Sequence, residues 1–111
     1  MTNLHLLTEI LRDEKLVGTN YVDWKRKIRI VFAAERIDLC LKTPKLLIPL
    51  DASPAQKAEL EQWERSNEMT KCYILASMSN ILQSQHEYMK KTNDILLNLH
   101  EMFGEKNRVN L

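Results

Sequence analysis

An all-α bundle of about five helices is the fold this sequence predicts, and three observations predict it. Only two Gly and three Pro occur in 111 residues, too few for the repeated turns of an all-β domain. Leu, Met, Lys, Glu and Gln are abundant, and these side chains lose little rotamer freedom in a helix. Apolar residues recur at spacings of three and four along much of the chain. With 44% hydrophobic residues, residues 1–111 suit one domain with a modest core. No internal repeat, low-complexity segment or second domain is visible.

The first helix is expected over residues 3–12, where Leu4, Leu7, Ile10 and Leu11 follow helical spacing. Asp13-Glu14-Lys15 is polar, and Gly18 interrupts regular structure before Asn20. Asn20 is expected to N-cap the second helix, with Asp23 in its first turn favoured by the positive helix end. Tyr21, Trp24, Ile28, Val31 and Phe32 fall within about 100° of arc and predict the core stripe of that helix. Lys25, Arg26, Arg29 and Arg36 share the adjoining arc, while Lys27 points elsewhere. Ile30, Ala33 and Ala34 lie on a further face.

Ile37 to Leu41 is short and apolar, after which Thr43-Pro44 and the stretch from Pro49 to Pro54 disrupt regular structure. Leu46, Leu47, Ile48 and Leu50 predict that this loop packs down. Ser53-Pro54-Ala55-Gln56 is a helix start, with Ser as N-cap, Pro at the first position and Gln completing a capping box. No breaker occurs from there until about Ser79. Leu60, Trp63, Ile74 and Met78 share one face of this long helix. Met69, Cys72, Tyr73 and Ala76 cover the other face of its second half, which is expected to be a buried strut. A shorter helix is expected within residues 81–90. The last helix opens at Thr92, carries Ile95, Leu96, Leu99, Met102 and Phe103, and stops at Gly104.

Formal net charge is +1, so whole-chain electrostatics recruit neither nucleic acid nor an acidic membrane. The distribution is uneven: residues 20–36 hold five Lys or Arg against two acids, and residues 54–68 hold four Glu against one Lys and one Arg. Cys40 and Cys72 are isolated in apolar contexts and read as reduced thiols, which suits a cytoplasmic setting. The N-terminal residues lack the basic and apolar regions of a signal peptide. No stretch reaches the roughly 20 apolar residues that span a bilayer.

The sequence offers no catalytic residue, cofactor site, small-molecule substrate site or metal site. His5, His86 and His100 are scattered and read as lone polar histidines, and neither Cys has a partner at ligand spacing. Ser77, Ser79, Cys40 and Cys72 lack an identifiable base and orienting group. No phosphate-cradling Gly motif is present. Tyr21, Trp24 and Trp63 read as core before they read as a peptide groove. Glu61, Glu64 and Glu68 read as a solvated acidic face, with Glu61 and Arg65 expected to pair at i,i+4.

Lys15-Leu16-Val17-Gly18-Thr19-Asn20-Tyr21-Val22-Asp23-Trp24-Lys25-Arg26, with Ile28-Arg29-Ile30-Val31, resembles a plant copia Gag pattern. That pattern is L-x-G-x-N-(Y/F)-x-x-W followed by (K/R)-x-x-(I/L)-R-I-V-L. Trp63 and then Lys71-Cys72-Tyr73-Ile74-Leu75-Ala76-Ser77-Met78 are similar to the family's W and K-C-x-x-L-A-S-M. Gln83-Ser84-Gln85-His86-Glu87 resembles Q-x-Q-H-E, and Ile95 to Phe103 with Gly104 resembles the I-x-x-L-x-x-(M/L)-F segment. The resemblance implies the N-terminal lobe of a copia-type LTR retrotransposon capsid, a structural protein whose copies build virus-like particles around element RNA. The family continues beyond the M-F-G block into a second helical lobe and a zinc knuckle. Element RNA would then be held mainly through those downstream regions. A domesticated copy with a new role has the same pattern.

The expected partners are other copies of the chain. Ile30, Ala33 and Ala34 beside Lys25, Arg26 and Arg29 resemble an interface core with a charged rim. Glu61, Glu64 and Glu68 offer the opposite charge for a head-to-tail contact. The alternative is that Ile30 belongs to the core. Two rival functions keep the same fold: a cytosolic adaptor holding a partner peptide between helices, and an RNA-binding module using the cationic strip.

Overall fold

The computed structural model describes residues 15–104, so the expected helix over 3–12 and His5 lie outside the described residues. Among those described, the chain is all-α. Its helices are α1 (Tyr21–Ala34), α2 (Leu39–Lys42), α3 (Pro54–Ala76), α4 (Asn80–His86) and α5 (Thr92–Phe103).

The chain enters through an extended segment. Leu16 lies parallel to Met78: its N–H donates to the Ser77 carbonyl at 2.8 Å, and its carbonyl accepts from Ser79 N–H at 2.9 Å. Leu16 is fully buried and belongs to the core. Asn20 precedes α1 but does not cap it. Its Oδ1 accepts from Val17 N–H at 3.0 Å and its Nδ2 donates to the Lys15 carbonyl at 2.9 Å, so the amide closes the preceding turn. Gly18 takes φ +121° in that turn, and a Cβ there would stand 3.0 Å from Phe103 Cε1. Both the left-handed backbone and the close approach require Gly.

Tyr21, Trp24, Ile28, Val31 and Phe32 face the core, as the stripe predicts. The helix ends in a Schellman turn: Ile37 N–H donates to the Phe32 carbonyl at 3.1 Å and Arg36 N–H to the Ala33 carbonyl at 3.2 Å. Arg36 occupies the left-handed position at φ 58°, where Gly is the usual residue. The apolar contact that accompanies such a turn is supplied by Phe32 and Ile37, both buried in the core cluster.

The loop after α2 departs from expectation. Leu47 and Leu50 are 91% and 106% exposed, while Leu46 and Ile48 are half-buried. Backbone outside helices alternates its side chains, so Leu47 points out where Leu46 and Ile48 point in, and Leu50 lies in the following turn. Ser53 and Gln56 form the predicted capping box at the start of α3, at 2.9 and 3.2 Å. Trp63 is buried, and its Nε1 donates to the Thr43 carbonyl at 2.9 Å, which ties this loop to α3.

The second half of α3 is not buried all round. Cys72 and Ala76 are exposed, continuing the outer ridge that starts at Glu61, Arg65 and Glu68. The buried ridge is Trp63, Ser66, Thr70 and Ile74, so two of its four side chains are hydroxyls. Ser66 can sit inside because its Oγ donates to the Ile37 carbonyl at 2.6 Å and accepts from Cys40 N–H at 3.0 Å. Thr70 Oγ1 contacts Cys40 Sγ at 3.3 Å and Thr92 Oγ1 at 2.9 Å. Asn67 supplies the start of α5 from outside that helix. Its Oδ1 accepts from Thr92 N–H at 2.9 Å and its Nδ2 donates to the Lys90 carbonyl at 2.8 Å. A polar seam therefore joins α2, α3 and α5, and each hydroxyl is satisfied, which removes the cost of burying it.

His86, read from sequence as a lone polar histidine, is fully buried on α4. Its Nδ1 lies 2.7 Å from the Leu82 carbonyl and its Nε2 lies 2.8 Å from Asn98 Nδ2. The tautomer with the proton on Nδ1 satisfies both contacts. Ile74, Met78 and Leu99 are fully buried, and Phe103 is half-buried against the same core, 6.2 Å from Tyr21 between ring centroids. Gly104 ends α5 at φ −70°, outside the left-handed region. Gly is still required, because a Cβ there would collide with the His100 carbonyl oxygen.

Candidate functional site

Helix α1 turns one ridge into the core, and much of its opposite side is exposed. Val22 and Ile30 are 40% and 61% exposed, and Arg26, Arg29, Ala33 and Ala34 are also exposed. Ile30 is thus a surface residue, and the core reading of it falls. The core is closed without it, by Trp24, Ile28 and Phe32 against Ile74, Ile95 and Leu99.

Between α1 and α5 this exposed side opens into a cleft with two adjoining depressions of about 490 and 430 Å³. Both are lined by Lys25, Arg29 and His100. The first reaches down to Ile28, Leu41 and Leu96, with Asp38, Asn93 and Leu97 at its edges. The second adds Tyr21, Val22, Arg26, Ile30 and Gly104. The result is an apolar floor with a cationic rim.

The rim has local structure of its own. Lys25 Nζ lies 5.7 Å above the Tyr21 ring, within cation–π range. Arg26 is 3.6 Å from Asp23, one turn back, with both side chains mostly exposed, so this pair adds little to stability. Burial holds the Tyr21 phenol above its ordinary pKa, while the Arg29 charge pulls in the other direction.

Four of the predicted surface residues, Lys25, Arg26, Arg29 and Ile30, are gathered around one depression. Ala33 and Ala34 are exposed farther along α1 and line neither depression. Glu61, Glu64 and Glu68 are exposed on α3, a separate surface from the cleft. The expected Glu61–Arg65 pair is not formed among the described residues. Glu64 instead reaches Lys45 of the loop after α2, at 3.9 Å.

Val22, Leu97 and His100 belong to this surface and were not singled out by periodicity. Their signal is an off-stripe position: Val22 and Leu97 are apolar residues outside the core stripe of amphipathic helices, 57% exposed in the case of Leu97. Cys40 is buried and Cys72 exposed, both as free thiols, so the apolar neighbours of Cys72 in sequence do not enclose it.

Among the described residues, no group of three His, Cys, Asp or Glu side chains could hold a metal ion. No helix among them is long and apolar enough to cross a membrane. The cleft and its surroundings offer shape, apolar area and positive charge, the chemistry of a protein contact. No family model matches the chain, and no curated protein or solved structure does.

Proposed function

We propose that this chain is a self-associating structural module, the N-terminal lobe of a Gag-type capsid of the copia kind. The α1 face of one copy, Ile30 ringed by Lys25, Arg26 and Arg29, meets the acidic α3 face of the next through Glu61, Glu64 and Glu68. The contact is heterologous, so repetition closes a ring or extends a lattice. Each contact is weak, and many simultaneous contacts supply avidity. The activity is assembly and calls for no catalytic group. The setting is cytoplasmic, where Cys40 and Cys72 stay thiols.

The observation that carries this reading is Ile30, 61% exposed at the centre of a cationic rim on a fold whose core does not use it. The exposed glutamates of α3 provide a surface of opposite sign. The ordered sequence blocks shared with copia Gag supply the kind of assembly.

The test is the double substitution Ile30→Asp with Arg29→Glu, read by light scattering across concentration. The expected result is a protein with wild-type circular dichroism that no longer self-associates. Adding Glu64→Arg and Glu68→Arg should restore association of the reversed pair. Unchanged self-association of the Ile30→Asp, Arg29→Glu protein would remove this face from the interface.

A further inference from the structure

We propose that the loop between α2 and α3 of one copy docks into the α1–α5 cleft of another copy, with Leu47 and Leu50 as its anchors. This rests on the self-association reading and names what fills the cleft. Leu47 and Leu50 are the most exposed large apolar side chains among the described residues, at 91% and 106%. A leucine left wholly in water forgoes the burial that drives folding and association alike.

The loop that carries them is held at both ends. The Thr43 carbonyl accepts from Trp63 Nε1 at 2.9 Å, and Lys45 Nζ lies 3.9 Å from Glu64 on α3. Leu46 and Ile48 are half-buried on either side of Leu47. A turn follows, in which Ala52 N–H donates to the Pro49 carbonyl at 3.1 Å, and Ala52 itself is buried. Ser53 then caps α3. Pro44 and Pro49 restrict the backbone further. The two leucines are therefore presented on an ordered segment, and ordering it on binding costs little entropy.

The cleft has the matching form. Its two depressions share Lys25, Arg29 and His100, so they adjoin. Ile28, Leu41 and Leu96 floor the first, and Val22 and Ile30 line the second. Leu47 and Leu50 are three residues apart, which sets their Cα atoms at most about 11 Å from each other. Two neighbouring apolar anchors thus meet two neighbouring apolar hollows. A chain does not fill its own cleft, because both leucines are exposed in the fold. The contact therefore runs between copies and is heterologous.

Charge agrees. Asp51 is exposed next to Leu50, and the cleft rim carries Lys25, Arg26 and Arg29. The Lys45–Glu64 contact also sets the loop beside the acidic side of α3. One approach of two copies can then seat the leucines in the cleft while Glu61 and Glu64 face the cationic rim. The leucines supply the apolar centre of the contact, and the charges supply its border.

The experiment measures association of the full chain by sedimentation velocity across concentration. Leu47→Asp with Leu50→Asp should keep the wild-type circular dichroism and associate at least about tenfold more weakly. The Ile30→Asp, Arg29→Glu protein keeps the loop and lacks the cleft. Mixed one to one, these two proteins should form a dimer and nothing larger, since each pair holds one intact loop and one intact cleft. Wild-type association of the loop variant, with the Ile30→Asp, Arg29→Glu protein monomeric, would overturn the loop as occupant and leave the assembly reading standing. A mixture that stays monomeric would overturn the pairing of loop with cleft. A wild-type chain that is monomeric at every concentration would sink both readings. A photoreactive benzophenone side chain at position 47 gives a second readout that does not depend on the aspartates. In mixtures of isotope-labelled and unlabelled chains it should cross-link to residues 22–30 or 93–100 of the other copy. Cross-links confined to other surfaces would remove the cleft as the docking site.

Discussion

Replacing Thr70 with Val tests whether the polar seam between α2, α3 and α5 holds this fold together. Thr70 is fully buried, and its Oγ1 is 3.3 Å from Cys40 Sγ and 2.9 Å from Thr92 Oγ1. Thr92 Oγ1 is in turn 2.8 Å from the Asn67 carbonyl. The Cys40 thiol donates to Thr70 and the Thr92 hydroxyl to the carbonyl, while the one Thr70 proton is shared between Thr92 Oγ1 and the Ser66 carbonyl, 2.9 Å away one turn back on α3. Thr70→Val keeps the volume and the β-branch, so no cavity opens. It removes the acceptor of the thiol and the donor to Thr92. A neutral hydrogen bond contributes about 1 kcal/mol net, and the thiol is a weak donor, so the loss is about 1–2 kcal/mol. At about 4 °C per kcal/mol for a domain of this size, Tm falls by about 4–8 °C. Urea denaturation followed by circular dichroism should show a lower midpoint with an unchanged slope. In a double-mutant cycle with Thr92→Val, the pair should couple by about 0.5–1 kcal/mol. A single-mutant effect under about 0.3 kcal/mol, with strict additivity, would refute the role given to the seam.

Trp24 is 2% exposed and its Nε1 donates to Ser77 Oγ at 3.1 Å, so Trp24→Ala should cost about 3–5 kcal/mol and leave a broad or absent thermal transition. A cooperative, near wild-type melt would contradict that burial. Arg36→Gly should raise stability by about 1 kcal/mol, read as a higher urea midpoint, because Arg36 sits at φ 58° where an L side chain is strained. Alkaline unfolding should be sensitive to Tyr21. Its raised pKa means that the folded chain keeps a proton the unfolded chain gives up, so this contribution is complete below about pH 10 and declines as pH rises through the folded value. Tyr21→Phe should therefore flatten the loss of stability above that pH, and an unaltered alkaline profile would remove burial of the phenol as a cause.

Sequence by itself determined the all-α class, the capping box at Ser53 and Gln56, the start of the last helix at Thr92 and the core ridge of α1. Each is a local matter: a residue's spacing along one helix, or a cap three residues away, decides it. It also brought Lys25, Arg26, Arg29 and Ile30 onto neighbouring arcs of α1, and so much of the candidate surface was legible before the fold. Whether Ile30 faced a neighbour or solvent was not, because periodicity gives a face and says nothing of what lies opposite. Only the tertiary structure decided that α5 stands off from that face and leaves a cleft, with Leu97 and His100 completing its wall.

The inner ridge of α3 shows the same limit from the other side. Ser66 and Thr70 belong to no apolar stripe, yet they are buried because Cys40, Ile37 and Thr92, distant in sequence, arrive with matching donors and acceptors. Cys72 reads as apolar and inward, yet nothing arrives to cover it. Asn20 fits the sequence profile of a cap, and its amide is instead taken by Val17 and Lys15. Burial of a polar side chain depends on the free energy of pairs formed across the chain, and those pairs exist only once the helices have met.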